Sequence, residues 1–327
     1  MDATAIRHRS AFRSAAGRFL VLLSCLLLTT AGVAGKVSGT FARPGVKGGE
    51  EKGIPSGRVQ YDPASPPAAY AARVLEESLA ASGYNPRARE GAYAVQLTLN
   101  PTGLGPEAFA IRPEGPRVTV EGGDERGLLY GALALAEDLR NGVKLSQVEA
   151  RRESPHLPFR ALKFNLPWDT YRHSYALDQH YQTCRSLDFW RAFLDMMVQN
   201  RFNALTLWNL HPFPFMIRPK NFPEACPFTD AELAEWQALY RGIFGMAKER
   251  GIDTYLVNWN IFVSPGLSKA YGVATDNLAH NIHAKGDTSA LVKRYTRECV
   301  TQVLEEYPDL AGLGFTHGEG MGGMTPQ

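Results

Sequence analysis

The chain has 327 residues, of which 44% are hydrophobic and 21% are charged, and its formal net charge is +2. These proportions are ordinary for a globular chain that can bury a core. The nearly balanced charge gives no reason to expect nucleic acid or a membrane surface as a partner. Composition therefore leaves globular enzymes and binding domains as the classes to consider.

The first 35 residues are predicted to be a signal peptide. Four arginines precede an apolar run at 19–28, and small residues at 31–35 offer a cleavage site. The run is too short for a typical membrane span, although an uncleaved anchor stays an alternative. A lipoprotein box ending at Cys25 is less favoured, because the apolar run continues past that cysteine. We therefore expect a secreted or periplasmic protein, with no membrane contact after cleavage.

Residues 36–57 are rich in Gly, Pro, Lys and Glu and are predicted to form a flexible linker. A small α/β domain is expected over 58–150. Its pattern predicts a helix, a strand, a hairpin and a second helix, at 68–82, 93–99, 108–121 and 127–139. The polar, proline-bearing stretch 151–158 then indicates a connection between domains.

From residue 159 to residue 327 the pattern alternates between strands and helices. Strands are predicted at 159–164, 204–208, 254–259 and 310–315, and helices at 187–199, 230–250 and 289–307. A (β/α)8 barrel takes about 250 residues, so this segment accommodates about four of its eight units. The predicted fold class is α/β, with a small α/β N-terminal domain followed by the first half of a (β/α)8 TIM barrel. A complete, smaller α/β sheet is the alternative.

Polar and aromatic residues follow each of the four predicted strands. Active sites of parallel α/β folds lie at these carboxyl ends, and amides that both donate and accept hydrogen bonds suit sugar hydroxyls. We therefore predict a sugar pocket formed by Asn165, Trp168, Asp169, Arg172, Trp208, Asn209, His211, Asn258, Trp259 and Asn260. The alternatives are structural: tryptophans that close the barrel top, asparagines that hold loops, a turn histidine, and a surface ion pair between the Asp and the Arg.

The stretch 313–322 carries the strongest catalytic signal. An apolar strand runs into a glycine-rich turn that presents one carboxylate, Glu319, between Gly318 and Gly320, with His317 just before it. Glycines allow a ligand or backbone to approach closely. We predict Glu319 and His317 as catalytic residues. A glycosidase usually needs a second carboxyl group, which we expect beyond residue 327.

Metal and cofactor chemistry has little support in the sequence. His280 and His283 lie three residues apart but have no nearby carboxylate pattern. Cys184, Cys226 and Cys299 are widely spaced and include no C-x-x-C pair, so a cysteine zinc site is not expected, while one disulfide stays open. No metal and no cofactor are predicted, and a carbohydrate is the expected partner.

Three stretches resemble a known group of glycoside hydrolases. Residues 122–131 resemble the end of the small α/β domain that precedes the barrel in bacterial hexosaminidases and α-glucuronidases, and 159–165 and 189–205 resemble the start of their barrel. The resemblance implies hydrolysis of a polysaccharide or oligosaccharide with Glu319 as general acid. Hexosaminidases carry an adjacent Asp-Glu pair, whereas Gly318 precedes Glu319 here, which is more similar to family 67 α-glucuronidases. The alternatives are a non-catalytic carbohydrate-binding or scaffold protein, or an inactive fragment of a longer enzyme.

Overall fold

Two sheets with helices packed against them make up the computed structural model. The structure describes residues 55–87, 93–169, 174–259, 263–273 and 289–316, and the side chains of Trp259 and Thr316 are not included. Several predictions fall outside this part of the chain: the signal peptide, the linker up to residue 54, Arg172, Asn260, His280, His283, His317 and Glu319.

The first sheet has five strands in the order β1-β2-β4-β3-β5. Its strands are β1 Gly57–Gln60, β2 Tyr93–Leu99, β3 Phe109–Glu114, β4 Arg117–Gly122 and β5 Arg151–Glu153. The first three in space are parallel, and β3 runs antiparallel to both of its neighbours. Helices α1 Pro66–Ala81 and α2 Glu125–Arg140 pack together on the sheet.

The sequence does not predict either edge strand of this sheet. Strand β1 begins at Gly57, the last residue of the predicted linker, and β5 occupies the start of the predicted connection 151–158. Strand β5 is short and charged, as edge strands often are. Its Arg151 pairs with Asp138 of α2 at 2.7 Å and with Glu153 at 3.2 Å. Pairing to a neighbouring strand, rather than local apolar alternation, makes these segments extended.

The second sheet has four parallel strands in chain order. They are β6 Ala161–Asn165, β7 Ala204–Asn209, β8 Asp253–Trp259 and β9 Gly312–Thr316. Five helices accompany them: α3 Tyr175–Cys184, α4 Leu187–Gln199, α5 Asp230–Glu249, α6 Pro265–Tyr271 and α7 Ala290–Glu306. The predicted mixed α/β class is confirmed. Helices α3 and α6 are additions to the predicted set.

The two faces of the parallel sheet differ in chemistry. Phe164 packs against an aromatic cluster on α4, with its ring centroid 4.9 Å from that of Trp190. Leu205, Leu207 and Leu256 are fully buried. The opposite face carries polar and half-buried side chains, among them Lys163, Thr206, Trp208 and Tyr255. This pattern suits strands that bury one face under helices and leave the other for a ligand.

Ionic contacts connect the first sheet to the amino-terminal ends of the parallel strands. Glu107 is buried and binds Arg160, just before β6, at 2.6 Å and the amide of Asn203, just before β7, at 2.8 Å. Arg126 of α2 binds Asp253, the first residue of β8, at 2.6 Å. Both sheets lie in one compact unit. The carboxyl ends of the parallel strands, where a site is expected, therefore lie at the edge away from these contacts.

The three described cysteines are all free and buried. Burial raises the pKa of the Cys184 thiol to about 11 and that of Cys299 to about 12. No disulfide is formed between cysteines of the described residues, so these thiols serve packing. Within the same ranges, no helix has the length and apolar character needed to span a membrane.

Candidate functional site

Asn165 and Trp208 lie side by side at the carboxyl ends of two strands. They are register partners in the β6–β7 pair and therefore share a face of the sheet. The Lys163 ammonium lies 3.8 Å from the centroid of the Trp208 ring, a cation–π contact. The Trp208 indole N–H donates to Thr206 Oγ1 at 3.1 Å. Trp208 is partly exposed, so its ring is held in place and still presents surface.

The side-chain oxygen of Asn165 is an unsatisfied acceptor. Oδ1 is buried and has no hydrogen-bond partner among the residues that the structure describes. A buried polar atom of this kind usually has a partner, either in the protein or in a water or ligand. A ligand hydroxyl above the Trp208 ring could supply the missing donor.

Asn209 and Asn258 lie on the other face of the sheet and are 1% and 2% exposed. The amide of Asn209 donates to Trp168 O at 2.7 Å, and its Oδ1 accepts the N–H of His211 at 3.1 Å. Both side chains are therefore buried in the described structure, and their contact with substrate stays a prediction. Successive strand residues point to opposite faces, so a Trp-Asn pair cannot place both side chains in one pocket.

Trp168 is also buried, and its contact with sugar stays a prediction. It is 3% exposed, and its indole N–H donates to the Tyr240 hydroxyl at 3.0 Å. Its ring centroid lies 4.8 Å from that of Trp236, also on α5. Trp168 thus anchors the segment that follows β6 against helix α5.

Asp169 follows Trp168 and turns the chain back toward the site. Its φ of +49° is in the left-handed region, where few non-glycine residues lie. The carboxylate accepts the His211 N–H at 2.8 Å, and the carbonyl accepts that of Leu210 at 2.9 Å. The residue has an exposed surface, yet its carboxyl group is crowded by protein atoms, and this desolvation raises its pKa to about 6 against the opposing effect of the His211 hydrogen bond. Near that pH the group can either donate or accept a hydrogen bond.

His211 connects β7 to α7 rather than facing a ligand. It is 6% exposed, and Nε2 lies 2.7 Å from the Tyr295 hydroxyl. Burial lowers its pKa to about 3, so the ring is neutral at physiological pH. Nδ1 is buried without a hydrogen-bond partner in the described part of the chain. The structural alternative for His211, a residue that holds a turn, agrees with this environment.

The predicted set therefore divides into two groups. Asn165, Trp208 and Asp169 remain available at the strand ends, whereas Trp168, Asn209, His211 and Asn258 are buried. Glu319 follows the last residue of β9 by three positions in the sequence.

Sequence reasoning missed Lys163, which is two residues before Asn165 on the same strand face. The period-two rule, applied backwards from Asn165, would have found it. Among the described residues, no group of three or more His, Cys, Asp or Glu could hold a metal ion.

The chain is similar to glycoside hydrolases in both sequence and structure. Residues 47–151 match the family model described as Glycosyl hydrolase family 20, domain 2. A GH138 enzyme targeting pectin rhamnogalacturonan II is similar in structure, with a TM-score of 0.67 and 25% identity over 80% of this chain and 30% of that one. Comparison with curated proteins found no match.

Two bacterial hexosaminidases share the fold more distantly. The GH20 β-N-acetylhexosaminidase of Streptomyces coelicolor A3(2) has a TM-score of 0.52 and 14% identity, over 78% of this chain and 53% of that one. A mutant Streptomyces plicatus β-hexosaminidase with bound GlcNAc has a TM-score of 0.50 and 15% identity, over 78% and 55%. The chain thus spans about a third of the GH138 enzyme and about half of each hexosaminidase. These similarities support glycoside hydrolase domains and do not support the family 67 assignment.

Proposed function

We propose that this protein is a glycoside hydrolase that acts on a complex polysaccharide of the pectic type. The observation that carries the proposal is the pairing of Trp208 with the unsatisfied Asn165 oxygen at the carboxyl edge of the parallel sheet. An indole face packs on the C–H face of a sugar ring, while an amide oxygen accepts a hydroxyl. The similarity to a GH138 enzyme that targets rhamnogalacturonan II supports the choice of polymer.

The proposed roles follow from the chemistry of each group. Glu319 protonates the leaving oxygen, which requires a pocket that keeps its acid form near neutral pH, and His317 positions it. Asp169 accepts a sugar hydroxyl through the exposed part of its carboxylate. The Lys163 ammonium adds a positive charge beside Trp208, which favours an acidic ring such as a uronic acid. A second group activates water or forms the covalent intermediate.

The alternative function is binding of the same polymer without cleavage. It needs only the described groups, Trp208 and Asn165, whereas hydrolysis also needs Glu319 and its partner. An α-glucuronidase, the finer assignment made from the Gly-Glu turn, is retained only as one form of the uronic-acid hypothesis.

The experiment that tests the proposal measures new reducing ends after incubation of the protein with rhamnogalacturonan II and with oligosaccharides cut from it. In a chain that extends beyond residue 327 to the second catalytic group, we expect product from the wild type and a loss of at least tenfold in Trp208→Ala. Tyr61→Ala, which removes an exposed aromatic residue just after β1, is the matched control and should retain activity. Retention of the polymer without product would support the binding alternative. If the polymer is neither retained nor cleaved, both hypotheses are rejected.

A further inference from the structure

A cleft of about 410 Å³ lies between α7 and the loop that follows β7. None of the residues predicted to contact substrate lines it. Its α7 wall includes Arg294, Arg297 and Gln302, and the first two are three residues apart and therefore neighbours on the helix surface. Lys220 contributes from the loop. The volume is within the range of small-ligand pockets, about 300–1,000 Å³.

The charges around this cleft favour an anion. Lys220, Arg294 and Arg297 are exposed, and none of them has an ion pair with a carboxylate of the described residues. The nearby Glu298 is already engaged, because its two oxygens accept the backbone N–H and the side-chain amide of Asn221 at 2.7 and 2.9 Å. With Glu305 the other acid on the wall, cations outnumber carboxylates. A cleft with this excess attracts negatively charged ligands.

Gln302 is a buried residue of the α7 wall whose side chain is held in one orientation. The residue is 7% exposed, and its amide nitrogen donates to Arg218 O at 3.1 Å and to Glu306 Oε1 at 2.8 Å. Both partners are acceptors, so the amide orientation is fixed by chemistry. Its oxygen is buried and has no hydrogen-bond donor in the part of the chain that the structure describes.

We propose that the cleft is a non-catalytic binding site for a uronic acid residue of an oligosaccharide. A guanidinium fork such as that of Arg294 or Arg297 binds a carboxylate through two parallel hydrogen bonds, and Lys220 adds a further positive charge to the cleft. The presence of the site rests on the cleft itself, whereas the choice of a sugar acid over other anions rests on the proposed function. A second site of this kind raises the effective concentration of a long polymer near the strand ends.

The test is isothermal titration of trigalacturonate into the protein carrying Trp208→Ala and Glu319→Gln, which disable the strand-end site. Adding Arg294→Ala with Arg297→Ala should weaken the remaining binding at least tenfold. The matched control is Lys293→Ala with Lys269→Ala, which removes two exposed charges that do not line the cleft. The control should bind as tightly as its parent.

Three results would overturn the proposal: no binding by the parent, equal loss in the control, or displacement of trigalacturonate by an equal concentration of inorganic phosphate, which would indicate a general anion site. Reducing-end assays on Arg294→Ala with Arg297→Ala, in a chain otherwise wild type, separate the two hypotheses. This variant should still cleave short substrates, because they do not need the cleft. If Arg294→Ala with Arg297→Ala loses binding at the cleft while the wild type hydrolyses nothing, the cleft proposal stands and only the proposed function is refuted.

Discussion

The neutral, buried His211 predicts a specific dependence of stability on pH. Its pKa in the folded protein is about 3, whereas the ordinary value is 6.5. Between these values the unfolded chain binds a proton that the folded chain does not. The free energy of unfolding therefore falls as the pH falls from about 6.5 toward 3. Replacing His211 by Gln removes this titration and keeps a group that can bond to the Tyr295 hydroxyl.

The two pKa values set the size of the effect. At pH 5 the unfolded imidazole is almost entirely protonated and the folded one is neutral, which costs about 2 kcal/mol of stability. At pH 7 the same contribution is only a few tenths of a kcal/mol. The wild type should therefore lose about 2 kcal/mol more than His211→Gln between pH 7 and pH 5. Asp169 titrates in both proteins, so its contribution cancels in the difference.

Urea denaturation at pH 5, 6 and 7, followed by tryptophan fluorescence, measures this difference. His156→Gln and His180→Gln are matched controls, because both histidines are exposed. Each control should follow the wild-type curve. Parallel pH curves for wild type and His211→Gln would show that His211 is not held neutral in the fold, and the structural role given to it would be wrong.

Four further substitutions test the assignments at the two ends of the parallel sheet. Asp169→Asn should gain stability relative to wild type as the pH rises from about 4 to above 6, because the raised pKa makes the folded state prefer the protonated acid; urea titrations over that range decide the sign. Glu107→Gln should lower the free energy of unfolding by about 1–3 kcal/mol because it removes the negative charge facing the partly buried guanidinium of Arg160, whereas the exposed Glu114→Gln should change it by less than about 0.5 kcal/mol. Trp168→Phe should reduce thermal stability with little change in sugar affinity, and Trp208→Ala should do the reverse; the same pattern for both would contradict their placement.

Helices and strands with a strong local period were predictable from the sequence. Helix α4 has the predicted bounds, Leu187–Gln199, because its apolar residues repeat at helical spacing and pack on β6 through Phe164. The edge strands β1 and β5 were not predictable in this way. They are extended because a neighbouring strand offers hydrogen bonds, and that partner is distant in sequence.

The site was only partly predictable for the same reason. Position after a strand selected Asn165, Trp208 and Asp169 together with Trp168, Asn209 and Asn258, but it could not tell accessible side chains from buried ones. Whether Trp168 faces a ligand depends on Tyr240, which is 72 residues away along the chain. The contact of Glu107 with Arg160 likewise spans 53 residues and leaves no local pattern. Strand alternation was available from sequence alone and would have excluded Asn209 from the pocket of Trp208.

The most direct test of the central claim is the turnover of Glu319→Gln, made in a chain that extends to the second catalytic group, on two substrates that differ in leaving group. Glutamine keeps the shape and hydrogen bonding of the acid but cannot donate its proton. We predict a loss of about 10²–10⁴-fold in kcat on the natural glycoside and a much smaller loss on an aryl glycoside, whose leaving group needs little protonation. Glu114→Gln should leave both rates unchanged. Unaltered turnover in Glu319→Gln, or equal losses on both substrates, would contradict its role as the general acid.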